Sequence, residues 1–101
     1  MRFVLISRPR NLFPKEELPQ LLDQLAQWRD RHRGKMEIFE FFNGGGGGFG
    51  ILDVSDEAEL YQIVLEFPFN PPIADVEIRP IMNGDKALEQ ARQTIAAMMA
   101  S

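Results

Sequence analysis

Five consecutive glycines, Gly44 to Gly48, sit between two strongly apolar stretches, Lys35 to Phe42 and Phe49 to Val54. Both flanks carry the aromatic and branched side chains that favour strands, so the run joins strand to strand. That placement excludes the usual phosphate-binding loops, which need either Gly-Lys-Ser/Thr opening a helix or a strand, turn and helix in that order. Two readings remain. The run is a β-hairpin turn, or it is backbone brought so close to a ligand or another subunit that any Cβ would clash, with Gly46 and Gly47 as ligand contacts. Glycine loses more conformational freedom on folding than any other residue, and a simple turn does not require five of them.

The strand before the run places Met36, Ile38, Glu40 and Phe42 on one face and Glu37, Phe39 and Phe41 on the other, if alternation is strict. Both faces are mostly apolar, so both sides of the sheet need a cover. Arg2 to Arg8 reads as a first strand, stopped by Pro9, and the segment from Pro9 to Pro14 as an irregular connector. Apolar residues then recur at 18, 21, 22, 25 and 28, which is helix spacing. Pro19 is harmless only in a first turn, so this helix starts near Lys15 or Glu16; it runs to about Arg33 and stops at Gly34 as a left-handed C′ residue. After the third strand, Asp56 and Glu59 have capping-box spacing, and Leu60, Tyr61, Val64 and Leu65 form the stripe of a second helix that ends before Pro68. Phe69 to Pro72 is a second connector. Ala74 to Ile81 is a fourth strand, with Asp75, Glu77 and Arg79 on one face and Pro80 marking an edge or strand end. Asn83, Gly84 and Asp85 form a turn and cap before a third amphipathic helix, Lys86 to Ala100.

The order β-α-β-β-α-β is that of a ferredoxin-like α+β domain, a four-stranded antiparallel sheet with both helices on one face. Residues 1–82 make up this domain and 83–101 a helical extension of it. The uncovered face of the sheet is most simply buried against a second copy, in a homodimer or a larger ring. The chain's 101 residues suit a single domain, and with no cysteine neither a disulfide nor a thiolate metal site supplements its core. The lack of cysteine, and the absence of a signal-peptide pattern after Met1, point to a cytoplasmic protein. No apolar run reaches the roughly 18 to 20 residues of a membrane span. A net charge of −4 disfavours nucleic acid, whose binding relies on clustered Lys and Arg. The one basic cluster, Arg29, Arg31, Arg33 and Lys35 around His32, lies at a helix C-terminus, where the dipole favours cations.

Gly34-Lys35, the glycine-rich approach to Ile51-Leu-Asp-Val54, Glu59-Leu60, Phe67-Pro-Phe69 with Pro71 after it, and Val76-Glu-Ile-Arg-Pro80 together resemble the muconolactone delta-isomerase-like family. The match covers about half of the chain and is closer to uncharacterised relatives of the isomerase than to the isomerase itself. It implies a dimeric α+β barrel, commonly in larger rings, with a ligand pocket between sheet and helices. No catalytic residue transfers with it: where the isomerase has aromatic and basic residues in the second strand and following turn, this chain has Met36, Ile38, Glu40 and Gly45 to Gly47.

Among ionisable residues Glu40 stands out, because an apolar strand face would desolvate it and suit it to act as a general base; the alternative is an edge carboxylate reaching water or an arginine. Arg8 and Arg79 are candidates for binding a substrate carboxylate bidentately, or for surface ion pairs. His32 is a second catalytic candidate, or a solvated helix-end residue. Trp28 and Tyr61 read as core first and pocket wall second. No cofactor and no metal is expected, given one histidine and no cysteine. The two functions in view are a cofactor-independent isomerase or proton-transfer enzyme acting on a small acidic or lactone-type substrate, and a non-catalytic small-ligand-binding or scaffold protein.

Overall fold

The computed structural model describes residues 1–10, 15–69 and 73–100, so most of the two expected connectors, 9–14 and 69–72, lies outside the described residues. The strands are β1 (Arg2–Pro9), β2 (Met36–Phe41), β3 (Gly48–Asp53) and β4 (Ala74–Ile81), and the helices are α1 (Leu18–Arg31), α2 (Glu57–Leu65) and α3 (Gly84–Ala100). The sheet has the order β2-β3-β1-β4 with every pair antiparallel, which is the ferredoxin-like βαββαβ arrangement followed by a helix.

Both α1 and α2 cover the sheet face that carries Leu5, Met36 and Leu52. Leu25 and Trp28 of α1 and Ile63 of α2, with Val54 and Phe67, complete the buried cluster. Leu52 and Ile63 are fully buried, each contributing about 1.5 to 3 kcal/mol relative to an exposed side chain. The Trp28 indole Nε1–H donates to the Ile63 carbonyl at 2.9 Å, which ties α1 to α2. This removes the cost of burying an unpaired donor.

Pro19 does lie in the first turn of α1, behind a 3-10 turn at Lys15–Glu17. The helix ends sooner than its periodicity implied. The His32 backbone N–H bonds back to the Trp28 carbonyl, and the chain tightens into a 3-10 turn at Arg33–Lys35. Gly34 sits inside that turn and is not left-handed; the tighter turn satisfies the last carbonyls without a positive φ.

Strict alternation in β2 also fails. Met36 pairs with Leu52 and Ile38 with the adjacent Ile51, so one extra residue of β2 is accommodated in a bulge. Met36 therefore points into the core, while Glu37 reaches Arg2 on the open face at 2.9 Å. Beyond the bulge Phe39 and Phe41 return to the helix side, and Ile38 and Glu40 take the open side.

In α2 the Asp56 carboxylate accepts from the Glu59 N–H at 2.9 Å, the expected N-cap. Glu59 does not complete a reciprocal box, because its side chain reaches Lys35 at 3.2 Å. The buried stripe is Leu60, Ile63, Val64 and Phe67; Tyr61 is 66% exposed and Leu65 is exposed as well. The core thus takes a stripe centred on Ile63, rotated from the expected one.

α3 begins where Asn83 Oδ1 accepts from the N–H groups of Asp85 and Lys86, at 3.0 and 3.2 Å. All of its residues are exposed. The molecule consequently measures 61 × 28 × 21 Å, with a radius of gyration of 17.2 Å. A compact chain of this length would have about 13 Å. No helix among the described residues is long and apolar enough to cross a membrane.

Candidate functional site

A cavity of about 480 Å³ lies between the sheet and α1, toward the end where the β2–β3 hairpin closes. That volume is within the usual range for small-molecule sites, about 300 to 1,000 Å³. Its floor comes from β1 (Leu5, Ser7, Pro9) and from the glycines Gly48 and Gly50 of β3. Trp28 and Phe67 form the inner wall, and Leu18, Leu22, Phe41 and Phe42 ring the mouth. All four are exposed apolar residues, Leu22 at 46% and Phe41 at 62%.

The cavity exists because the floor lacks side chains. Gly50 stands opposite Phe39, and Gly48 opposite Phe41, so the aromatic rings of β2 have no bulky cross-strand partners on that face. At Gly48 a Cβ would come 2.5 Å from the Glu40 carbonyl oxygen. The turn before it has four glycines in the left-handed region, Gly44 to Gly47, with φ between +89° and +99°. At Gly44, Gly45 and Gly46 a Cβ would meet open space, whereas at Gly47 it would lie 1.8 Å from the Ser7 carbonyl oxygen. The hairpin-turn reading of the glycine run is realised, and the close approach at Gly47 is to the chain's own β1 rather than to the ligand or second subunit expected. Gly47 lines the cavity; Gly46 is not among the lining residues.

Of the other expected site residues, Trp28 lines the cavity. Tyr61 does not, and it borders a shallower recess of about 270 Å³ with Phe3, Leu60 and Ile78. Glu40 borders the cavity, but it is exposed, and the pleat carries its side chain to the open face opposite Phe49. Arg8 and Arg79 lie on that open face also. Antiparallel pairing sets Arg8 opposite Asp75 and Arg79 opposite Val4, with Glu77 between them. Glu77 lies 3.4 Å from Arg8 and 3.7 Å from Arg79, so both guanidinium groups are turned toward a carboxylate of their own strand pair.

His32 is 13% exposed and packs edge-on against Trp28, with 6.0 Å between ring centroids. Its Nε2 is 2.6 Å from Glu66 Oε2, and Arg31 adds a contact to the same oxygen at 3.4 Å. Gln62, which donates to the other Glu66 oxygen, and then His32 hold the Glu66 carboxyl below its ordinary range. The indole of Trp28 separates this pair from the cavity, and its only polar hydrogen is taken by Ile63. The rest of the basic cluster is engaged locally: Arg33 with Asp30, Lys35 with Glu59, and Arg29 over the Phe39 ring at 5.3 Å.

Sequence reasoning singled out Trp28 and Gly47 but passed over Leu5, Leu22, Phe39, Phe41 and Phe67 as site residues. Their signal was available, since Phe39 and Phe41 share a face opposite glycines. The arrangement as a whole is an apolar slot with aromatic walls; among the described lining residues Ser7 adds a hydroxyl, Trp28 an N–H already engaged by Ile63, and Glu40 borders the slot with its carboxylate on the open face.

A family model described as a domain of unknown function, DUF3303, matches residues 1–95. Among solved structures, the 5-chloro-2-hydroxyhydroquinone dehydrochlorinase TftG from Burkholderia phenoliruptrix AC1100, in complex with 2,5-dihydroxybenzoquinone, is similar with a TM-score of 0.69 and 15% identity. The match covers 85% of this chain and 98% of that one. Muconolactone isomerase is similar with a TM-score of 0.67 and 17% identity, over 82% of this chain and 90% of that one. No curated protein matches the chain in sequence. At these identities the likeness shows a shared fold, that of the dimeric α+β barrel proteins.

Proposed function

The chain belongs to the DUF3303 family, and from its cavity we propose that it binds a small, flat, largely apolar molecule of one or two rings between the sheet and α1. The observation that carries this reading is the lining. Aromatic and aliphatic side chains surround about 480 Å³, while three of the four ionisable candidates, His32, Arg8 and Arg79, sit elsewhere and Glu40 only borders the space. His32 is tied to Glu66 behind Trp28, and Arg8 and Arg79 are turned to Glu77 on the opposite face. Burial of apolar area supplies the affinity, at about 25 cal/mol per Å² before the costs of association.

The sole tryptophan lies in the cavity wall and reports occupancy directly. Titration with single-ring quinones, lactones and a naphthalene probe is expected to change Trp28 fluorescence saturably. Leu22→Glu, which puts a charge at an already half-exposed position of the mouth, is expected to weaken that binding at least tenfold. If no probe saturates the signal, or Leu22→Glu binds as well as wild type, the reading is wrong.

A second reading, a cofactor-independent isomerase or proton-transfer enzyme, rests on Glu40 at the cavity border and on the fold shared with an isomerase and a dehydrochlorinase. It requires turnover of a lactone or quinone-type substrate that is lost in Glu40→Gln; under the binding reading that substitution leaves ligand affinity unchanged. We further propose a homodimer formed by the open sheet faces, whose centre is apolar (Val4, Ile6, Phe49, Ile51) and half-exposed in the single chain. Such a face needs a cover, and a second copy supplies it symmetrically. A cysteine-free chain of this kind suits the reducing cytoplasm.

A further inference from the structure

α3 carries an apolar stripe that is exposed along its length. Leu88, Ala91, Ile95 and Met99 follow one another at i, i+3, i+7 and i+11, which places them on one side of the helix. Leu88, Ile95 and Met99 are 61%, 55% and 82% exposed. At 17 residues α3 is only slightly longer than the roughly 12 to 15 below which isolated helices are marginal in water, and most helical stability in proteins comes from packing an amphipathic face, so this helix gains from a surface to pack against.

The second recess offers a mostly apolar lining, with Glu57 its one charged residue among those described. Phe3 and Ile78 of the sheet make its floor, and Leu60, Tyr61 and Val64 of α2 its wall. Phe3 pairs with Pro80 and Leu5 with Ile78, so the recess lies near the end of the sheet at which β4 finishes and α3 departs. An arm that leaves a molecule beside a groove, and a groove that receives the same kind of arm, can be exchanged reciprocally about one two-fold axis, which closes the assembly at two chains.

The area involved is of the right order. A helix of 17 residues is about 25 Å long and 10 Å wide, so each docked arm covers about 250 Å² on each partner. Two exchanged arms bury about 1,000 Å² in total. This approaches the roughly 1,200 Å² at which specific interfaces begin, before any other surface joins.

We infer that α3 is an exchanged arm: the stripe Leu88, Ala91, Ile95 and Met99 of one copy docks in the groove between α2 and β4 of a second copy of this chain. The mode is an amphipathic helix in an apolar groove, with anchors spaced by about one turn. Tyr61, outside the core and outside the ligand cavity, acquires a role as the groove's outer lip.

Because the chain has no cysteine, introduced thiols are the only ones present. Full-length Ile95→Cys and full-length Tyr61→Cys are mixed and treated with a short bismaleimide. The expected result is a covalent heterodimer well above the yield from either variant alone. Leu88→Asp combined with Ile95→Asp is expected to abolish that product and to weaken self-association at least tenfold by light scattering. Leu88 and Ile95 are exposed and lie outside the buried cluster that holds Trp28, so the near-UV spectrum of Trp28 should be unchanged. The inference is overturned if the double variant Tyr61→Cys/Ile95→Cys crosslinks within one chain independently of dilution, since the arm then folds back on its own groove. It is equally overturned if the wild-type chain is monomeric, or if the two aspartates leave self-association unaltered.

Discussion

Gly45→Ala and Gly47→Ala should differ sharply in stability, although both alter one glycine of the same five. Each residue has a strongly positive φ, +96° and +99°, so each alanine carries a conformational cost of about 1 to 3 kcal/mol. Reduced freedom of the unfolded chain offsets that by about 0.4 to 1 kcal/mol. At Gly45 nothing lies within 4 Å of the new methyl, so the net loss is about 1 kcal/mol. At Gly47 the methyl would sit 1.8 Å from the Ser7 carbonyl oxygen, a backbone atom held in the β1–β3 ladder. Relief requires the hairpin and the end of β1 to part, which breaks the Ser7–Gly48 end of the ladder and strains the Phe42 N–H to Gly47 carbonyl bond of 2.9 Å. Two backbone bonds at about 1 kcal/mol each bring the loss at Gly47 to about 3 kcal/mol. With a urea dependence of about 1 kcal/mol per M for a domain this small, the two midpoints should lie about 2 M apart. Far-UV circular dichroism against urea measures both. Coincident midpoints would refute the claim that Gly47 is fixed by contact with β1, and would leave only the turn's dihedral requirement.

Trp28→Phe should cost about 1 to 3 kcal/mol in urea unfolding, because it strands the Ile63 carbonyl that the indole now satisfies. Asp56→Ala should cost about 1 kcal/mol through loss of the α2 cap, while Asp56→Ser should recover most of it. Glu66 has a lowered folded-state pKa, first through Gln62 and then through His32, so its contribution is complete above the ordinary carboxylate value of 4.5 and fades as pH falls through the lower folded value. Wild type should therefore lose stability more steeply than Glu66→Gln as pH drops below about 4.5; parallel pH profiles would remove Glu66 from the account. Arg79→Gln, at a largely exposed pair, should change stability by less than about 0.5 kcal/mol.

The elements that sequence reasoning located well are those whose determinants are local. Ala74 to Ile81 is β4 as read, the Asp56 cap is in place, and the Pro19 argument set the start of α1 to within a few residues. The failures trace to tertiary choices. Nothing local marks the bulge between Met36 and Ile38, which depends on how β2 registers against β3, and one shifted residue was enough to place Met36 in the core and separate it from Ile38 and Glu40, which share the open face. Tyr61 and Ile63 are both plausible stripe members, and only the position of Trp28 across from Ile63 decides which is buried. The cavity was half legible. Trp28 and Gly47 were in view, but a cavity is defined by what is missing, and the emptiness above Gly48 and Gly50 becomes visible only once the β2–β3 register is known.

That bulge has a consequence for how the protein behaves in a crowded solution. β2 and β4 are the outer strands of the sheet and expose unpaired backbone groups to any passing strand. β2 meets that hazard with the bulge and with two carboxylates, Glu37 and Glu40; β4 does so with Pro80 and the charged series Asp75, Glu77 and Arg79. Neither rim offers a flat hydrogen-bonding ribbon on which filaments grow. A chain with this much exposed apolar surface can then associate through its face and its arm while its strands stay closed to runaway stacking, and Glu40, first noticed as a chemical base, has a sufficient reason to be charged as a guard on that rim.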